Sequence, residues 1–196
     1  MFSRLDDMSL DLLFDSARTY NTWQDKPVDD SLLHALYERL KWGPTTANTC
    51  PARFVFVRST EGKQRLKPHL NPGNVDKTMA APCCVIVAYD TRFYELMPQL
   101  FPSRDMRSVF EGKDALIEEV CMRSSSLQGG YLVMAARALG LDCGPMSGFN
   151  AETLNREFFP DGRWRANFLC NLGYGSEEGL FPRNPRLEFD QACQLL

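Results

Sequence analysis

Four separated stretches of this chain carry residue types suited to chemistry at close quarters: short hydroxyls and amides, glycines, and arginines. They are Arg18-Thr19-Tyr20-Asn21, Pro44-Thr45-Thr46-Ala47-Asn48, Asn74 with Lys77, and Pro145-Met146-Ser147-Gly148; Arg183 follows in a proline-rich tail. The second stretch is the most pointed. An ordinary link between a helix and a strand needs one or two turn residues. Here Thr45, Thr46, Asn48 and Thr49 put four short hydrogen-bonding side chains just before the apolar run Arg53 to Val57. Such a loop lets a flat group with a polar edge come close. Side-chain catalysts are scarce. No glycine-rich dinucleotide fingerprint follows a strand, and neither a GxxxxGK[ST] phosphate loop nor a GxSxG elbow is present. The only histidines are His34 and His69, and the pair Glu118-Glu119 reads as a solvated helix face. A chain this poor in acid, base and nucleophile can still be an enzyme if a bound cofactor carries the reaction.

The apolar pattern predicts the elements that must hold these stretches. Ser9 to Thr19 reads as a helix with Leu10, Leu12, Leu13 and Phe14 inward. Asp29 or Asp30 should cap a second helix to about Leu40, with Leu32, Leu33, Leu36, Tyr37 and Leu40 inward. Arg53 to Val57, Cys83 to Tyr89 and Phe168 to Tyr174 read as buried strands. Thr60 should cap a short helix ending at Leu66, Asn71-Pro72-Gly73-Asn74 reads as a turn, and Phe93 to Lys113 as irregular chain with short helical turns. Asp114 should cap a long helix to about Leu139, about 39 Å at the α-helical rise. Gly129 and Gly130 inside it cost about 1 kcal/mol each relative to alanine, which predicts a close neighbour there. Its small side chains suit a core or a subunit interface. From Gly140 to Gly148 the expectation is a turn, a short extended piece and a second turn. Asn150 should cap a helix to about Phe159, and prolines keep 181–187 extended. Three or four strands among five or more helices, without a βαβ rhythm, predict an α+β fold. At 196 residues one domain is expected, 1–196, with an extended tail from about 181.

Bulk properties exclude some partners. A net charge of −3 argues against nucleic acid. No stretch approaches the roughly 20 apolar residues of a membrane span, and the start, Met1-Phe-Ser-Arg-Leu-Asp-Asp-Met, has no apolar leader core. Seven cysteines in no CxxC pair suit a reduced cytoplasmic protein in which they serve as small core hydrophobes. With two histidines, no metal site is expected.

In order and spacing, the four stretches resemble the flavin-dependent nitroreductase family over nearly the whole chain. "GPTTAN" is similar to that family's Ala-Pro-Ser-x-x-Asn loop, and "LGLDCGPMSGF" to its Leu-Gly-x-x-x-x-Pro-x-x-Gly turn. "SARTYN", "KWGPTTAN", "GLDCGPMSGF" and "NLGYG" carry a closer resemblance to the branch that includes the malonic semialdehyde reductase of pyrimidine degradation. The resemblance implies a nitroreductase-like fold: a central, mostly antiparallel sheet flanked by helices, with the long helix at a homodimer interface. It implies FMN at that interface, NADH or NADPH as co-substrate, and ping-pong hydride transfer through flavin N5. The acceptor it implies is malonic semialdehyde, reduced to 3-hydroxypropionate; a broad nitro or quinone reductase, or a flavin carrier without turnover, stays open. By position, Arg18, Thr19, Asn21 and Arg183 match the phosphate site. Pro44, Thr45, Thr46 and Asn48 match the loop a partner subunit lays against the flavin. Asn74 and Lys77 match the pyrimidine edge, and Pro145, Met146, Ser147 and Gly148 the turn whose backbone meets N5. The family often has basic residues where this chain has Ala17 and Asn21, so the phosphate grip is lighter here or completed elsewhere. Arg104 and Arg107 are candidates, by composition, for a substrate carboxylate.

Overall fold

Eight consecutive buried residues, Cys83–Asp90, form a strand with no face left for water, so the sheet around it must be covered on both sides. In the computed structural model, which describes residues 4–196, that is the arrangement. The first three residues, part of the stretch read as lacking an apolar leader, lie outside the described residues. In chain order the elements are α1 (Asp7–Leu10), α2 (Asp30–Leu40), β1 (Ala52–Val57), α3 (Thr60–Leu66), α4 (Pro72–Ala80) and β2 (Cys83–Asp90). Then come α5 (Met97–Leu100), α6 (Arg107–Phe110), α7 (Asp114–Ala138), β3 (Asp142–Met146), α8 (Ala151–Phe158), β4 (Trp164–Gly173) and α9 (Phe189–Ala192). The sheet runs β1-β2-β4-β3 and every pairing is antiparallel.

Alternation along β2 sorts the core into two layers. Cys83, Val85 and Val87 pack with Leu33, Leu36 and Leu40 of α2 and with Leu132, Ala135 and Ala136 of α7. Cys84, Ile86 and Ala88 pack on the other face with Leu66, Leu70 and Leu154. A third cluster joins Phe93, Met97, Met106 and Phe110 to Ile117, Val120 and Cys121 of α7. The stretch from Phe93 to Lys113 is therefore a run of short turns over the start of the long helix, as its mixed composition implies. Burial pushes the thiols of Cys83 and Cys121 up to about 12, which keeps them protonated and inert.

Several sequence expectations need correction. The first helix does not run to Thr19: α1 passes into one wide turn, Asp11–Asp15, and the chain then extends. Arginines Arg137 and Arg183 claim the carbonyls of Leu13, Asp15 and Ala17, and Leu12 and Phe14 stay exposed. Asn71-Pro72-Gly73-Asn74 is a helix start rather than a turn, with Pro72 at the first helical position, where a missing N–H costs nothing. Tyr37 is half-exposed, edge-on to Phe54, and not inward. Ser59, not Thr60, caps α3, accepting from the Gly62 N–H. Asp114 is the first residue of α7 rather than its cap; there its charge complements the helix dipole. Asn150 does cap α8, accepting from Thr153 N–H. The predicted close neighbour is real at Gly129, where a Cβ would lie 2.4 Å from the Phe168 ring, but Gly130 has nothing within 4 Å.

Candidate functional site

Strand β3 organises the site. It is an edge strand, paired to β4 on one side, and its other side takes the segment after α1. Thr19 bridges Cys143 in parallel, and Tyr20 N–H donates to the Cys143 carbonyl at 3.2 Å. Gly144 permits this approach, because the Tyr20 carbonyl oxygen lies 2.8 Å from where a Cβ would stand. The stretch Arg18–Asn21 is thus bound to one end of β3, and Ser147-Gly148 leaves the other. Five residues from Cys143 to Gly148 span about 16 Å of extended chain.

At the first end lies a cavity of about 450 Å³, lined by Ala17, Arg18, Thr19, Asn21, Arg137, Arg183 and Arg186, with aromatic walls from Phe14 and Phe181. The proline-rich tail reaches it because Arg18 donates to the Phe181 carbonyl and Arg183 to those of Asp15 and Ala17. Among the described residues none of the four arginines has a carboxylate partner. Four uncompensated guanidiniums around one cavity suit an anion carrying more than one charge, and phosphate matches their fork geometry.

At the second end the Gly148 carbonyl accepts from Asn74 Nδ2 at 2.8 Å and from Asn71 N–H at 3.0 Å. The space a Gly148 side chain would fill is taken, with Asn74 Nδ2 2.5 Å from the Cβ position. The Ser147 and Gly148 N–H groups have no partner among the described residues, so the turn offers free donors. Met146 is buried against Thr78, while Pro145 and Ser147 are exposed. The backbone of Lys77 is fixed, since its carbonyl accepts from Trp23 Nε1 at 3.0 Å and Asn171 Nδ2 at 3.3 Å.

The loop of short polar residues is strained. Ala47, Asn48 and Cys50 have φ of 45°, 53° and 41°, each costing about 1–3 kcal/mol outside glycine. Thr45 Oγ1 accepts from Cys50 N–H at 3.1 Å, Thr46 N–H donates to Ser124 Oγ at 3.3 Å, and Asn48 Nδ2 donates to the Leu100 carbonyl at 2.8 Å. Pro44, Thr46 and Asn48 are exposed. Ser124 and Arg137 both lie on α7, thirteen residues or about 20 Å apart along its axis. Within one chain, then, Arg18, Thr19, Asn21, Arg183, Asn74, Lys77 and the Pro145–Gly148 stretch gather along β3, and Pro44–Asn48 stands apart. Arg104 and Arg107 stand apart as well. Arg107 is paired doubly with Glu111, at 2.9 and 2.6 Å. Arg104 lies over the Phe101 ring with no carboxylate partner among the described residues.

Sequence reasoning missed Arg137, Arg186, Trp23 and Asn171. A cation on the last turn of a helix reads as ordinary dipole complementation, so Arg137 gave no separate signal.

Comparison with known proteins shows the family and the fold. Residues 15–174 match the model of the "Nitroreductase family". The chain is 65% identical over all 196 residues, covering 100% of each chain, to a presumed NADH dehydrogenase/NAD(P)H nitroreductase of Rhodopseudomonas palustris strain TIE-1. Among solved structures, a presumed nitroreductase, ydfN of Bacillus subtilis, superposes with a TM-score of 0.88 at 19% identity, covering 97% of this chain and 100% of that one. A presumed nitroreductase of Exiguobacterium sibiricum 255-15, solved in complex with FMN, gives 0.85 at 19% identity over 100% and 99% of the two chains. At these identities the two structures speak to the fold alone.

Proposed function

This chain belongs to the nitroreductase family, and from that premise we propose that it is an FMN-dependent NAD(P)H oxidoreductase whose acceptor is malonic semialdehyde. The observation that carries the cofactor assignment is the pairing, at the two ends of β3, of a cavity ringed by uncompensated arginines with a turn of free backbone donors. Bound FMN would supply the hydride chemistry, taking a hydride from NADH or NADPH and passing it to the acceptor. Arg18, Thr19, Asn21 and Arg183 would hold the phosphate. Asn74 and Lys77 would face the pyrimidine edge, where a positive charge favours the reduced, more negative ring. Asn171 and Trp23, by fixing the Lys77 carbonyl, set where that lysine starts from. Pro145 and Met146 support the Ser147-Gly148 turn, whose N–H groups would meet N5. Exposed Ser147 leaves the turn open to water, a source of the proton a carbonyl acceptor needs.

The loop Pro44-Thr45-Thr46-Ala47-Asn48 would serve the cofactor of a second copy. Trp42, Leu127 and Tyr131 beside it are exposed, with Gly43 letting the chain lie against the Tyr131 ring, and such an apolar patch fits a homodimer along α7. The malonic semialdehyde assignment rests on the sequence stretches of that branch. A broad nitro or quinone reductase is the second reading, favoured by the activity in the relatives' names.

The test is an absorbance spectrum of the purified protein before and after NADPH without oxygen. Flavin bands that bleach at once are expected, with malonic semialdehyde restoring them faster than a nitroaromatic. Faster restoration by the nitroaromatic supports the second reading, bands that do not bleach mean a flavin carrier, and a colourless protein that refuses added FMN overturns both.

A further inference from the structure

The motifs supply two arginines, Arg18 and Arg183, to a cavity that four arginines line. The structure assigns a third. We propose that Arg137, on the last turn of α7, is a binding residue for the phosphate of the flavin mononucleotide; the assignment rests on the FMN reading above.

Three observations carry it. Arg137 lines the arginine-rich cavity. Of the five N–H donors of its guanidinium, among the described residues only Nη1 is engaged, donating to the Leu13 carbonyl at 3.0 Å, and Nε is buried with no partner there. A partly buried cation whose buried Nε has no acceptor and no carboxylate among the described residues is a costly arrangement unless a ligand completes it. The third is the element it sits on. Arg183 and Arg186 belong to the exposed tail, and Arg18 to extended chain, whereas Arg137 stands on a 25-residue helix packed into the core through Leu132, Ala135 and Ala136. The Leu13 carbonyl holds one end of its guanidinium. Arg137 is thus the preorganised member of the set, and the segment it anchors is the one that leads into Arg18.

A purely structural Arg137 would tie Leu13 to α7 and treat every flavin alike. A phosphate ligand would distinguish FMN from riboflavin, which has the same ring and ribityl chain but no phosphate. The experiment is a fluorescence titration of flavin-stripped protein with each, for wild type, Arg137→Gln and Arg137→Lys, with far-UV circular dichroism to establish folding. The expected result is wild type preferring FMN, Arg137→Gln weakening FMN about tenfold or more, as for loss of a charged hydrogen bond, with riboflavin unchanged. Arg137→Lys should fall between. Equal weakening of both flavins, or none, overturns the proposal and leaves Arg137 an anchor. If Arg137→Gln does not fold, Arg137→Lys decides by the same criterion. Wild type binding riboflavin as tightly as FMN overturns the phosphate assignment while the flavin reading stands; wild type binding neither overturns both.

Discussion

A methyl group added at Gly148 would sit 2.5 Å from Asn74 Nδ2, in the bond that holds the Gly148 carbonyl. Either the asparagine or the turn must move, and both belong to the proposed flavin edge. Gly148→Ala should therefore slow bleaching of bound flavin by NADPH at least about tenfold, the scale of one lost transition-state donor or less. Stopped-flow absorbance reads this, and an unchanged rate would remove the turn from the reacting centre. Among the candidate substrate cations, Glu111 already neutralises Arg107, which leaves Arg104 better able to attract a carboxylate. Arg104→Ala is expected to raise KM for malonic semialdehyde severalfold without moving that for a neutral nitroaromatic. A parallel rise for both would reduce Arg104 to packing on Phe101.

The elements have their own weak points. In α7, Gly129 meets the Phe168 ring with no room for a Cβ, while Gly130 is open. Overpacking of this kind costs about 1–3 kcal/mol, so Gly129→Ala should lower Tm by several degrees and Gly130→Ala should not. At the end of β2, Asp90 is 1% exposed and bridges Arg53 at 2.8 Å and Arg163 at 2.9 Å. Burial pushes its carboxyl up, but hydrogen bonds from Arg163 and the Arg92 N–H, with the charges of Arg53 and Arg163, outweigh that and hold it below 3.8. A depressed folded-state value contributes stability above the unfolded value and loses it as pH falls through the folded one. Asp90→Asn should cost about 3–5 kcal/mol near neutrality, as for breaking a buried ion pair. In urea titrations the gap from wild type should narrow below about pH 4, the ordinary aspartate range; a gap independent of pH would contradict the charged role.

For the whole molecule, the spacing of the two polar groups matters most. The loop at Thr46 leans on Ser124, far along α7 from the arginine cavity, and the exposed Trp42, Leu127 and Tyr131 lie on the loop's side. If a second copy covers that face, one substitution should disturb assembly and cofactor together. Leu127→Glu is expected to shift the protein from dimer to monomer in light scattering and to lose most of its flavin in the same preparation. A dimer with intact flavin would place the interface elsewhere.

The residues proposed for the site came from the resemblance, motif by motif. The chain's local patterns were sufficient for the fold class, the long helix and the buried strands, because apolar period and glycine placement act over a few residues. The helix from Ser9 to Thr19 and the turn at Asn71 failed for the same reason. The first is ended by arginines from distant segments that take its carbonyls, and the second opens a helix that Pro72 is suited to begin. Only the tertiary structure brought Arg137 to Arg18 and Arg183, fixed Lys77 through Trp23 and Asn171, and set Pro44–Asn48 apart from the rest. Those relations depend on which faces of α7 and β3 meet distant chain, and no local spacing encodes that.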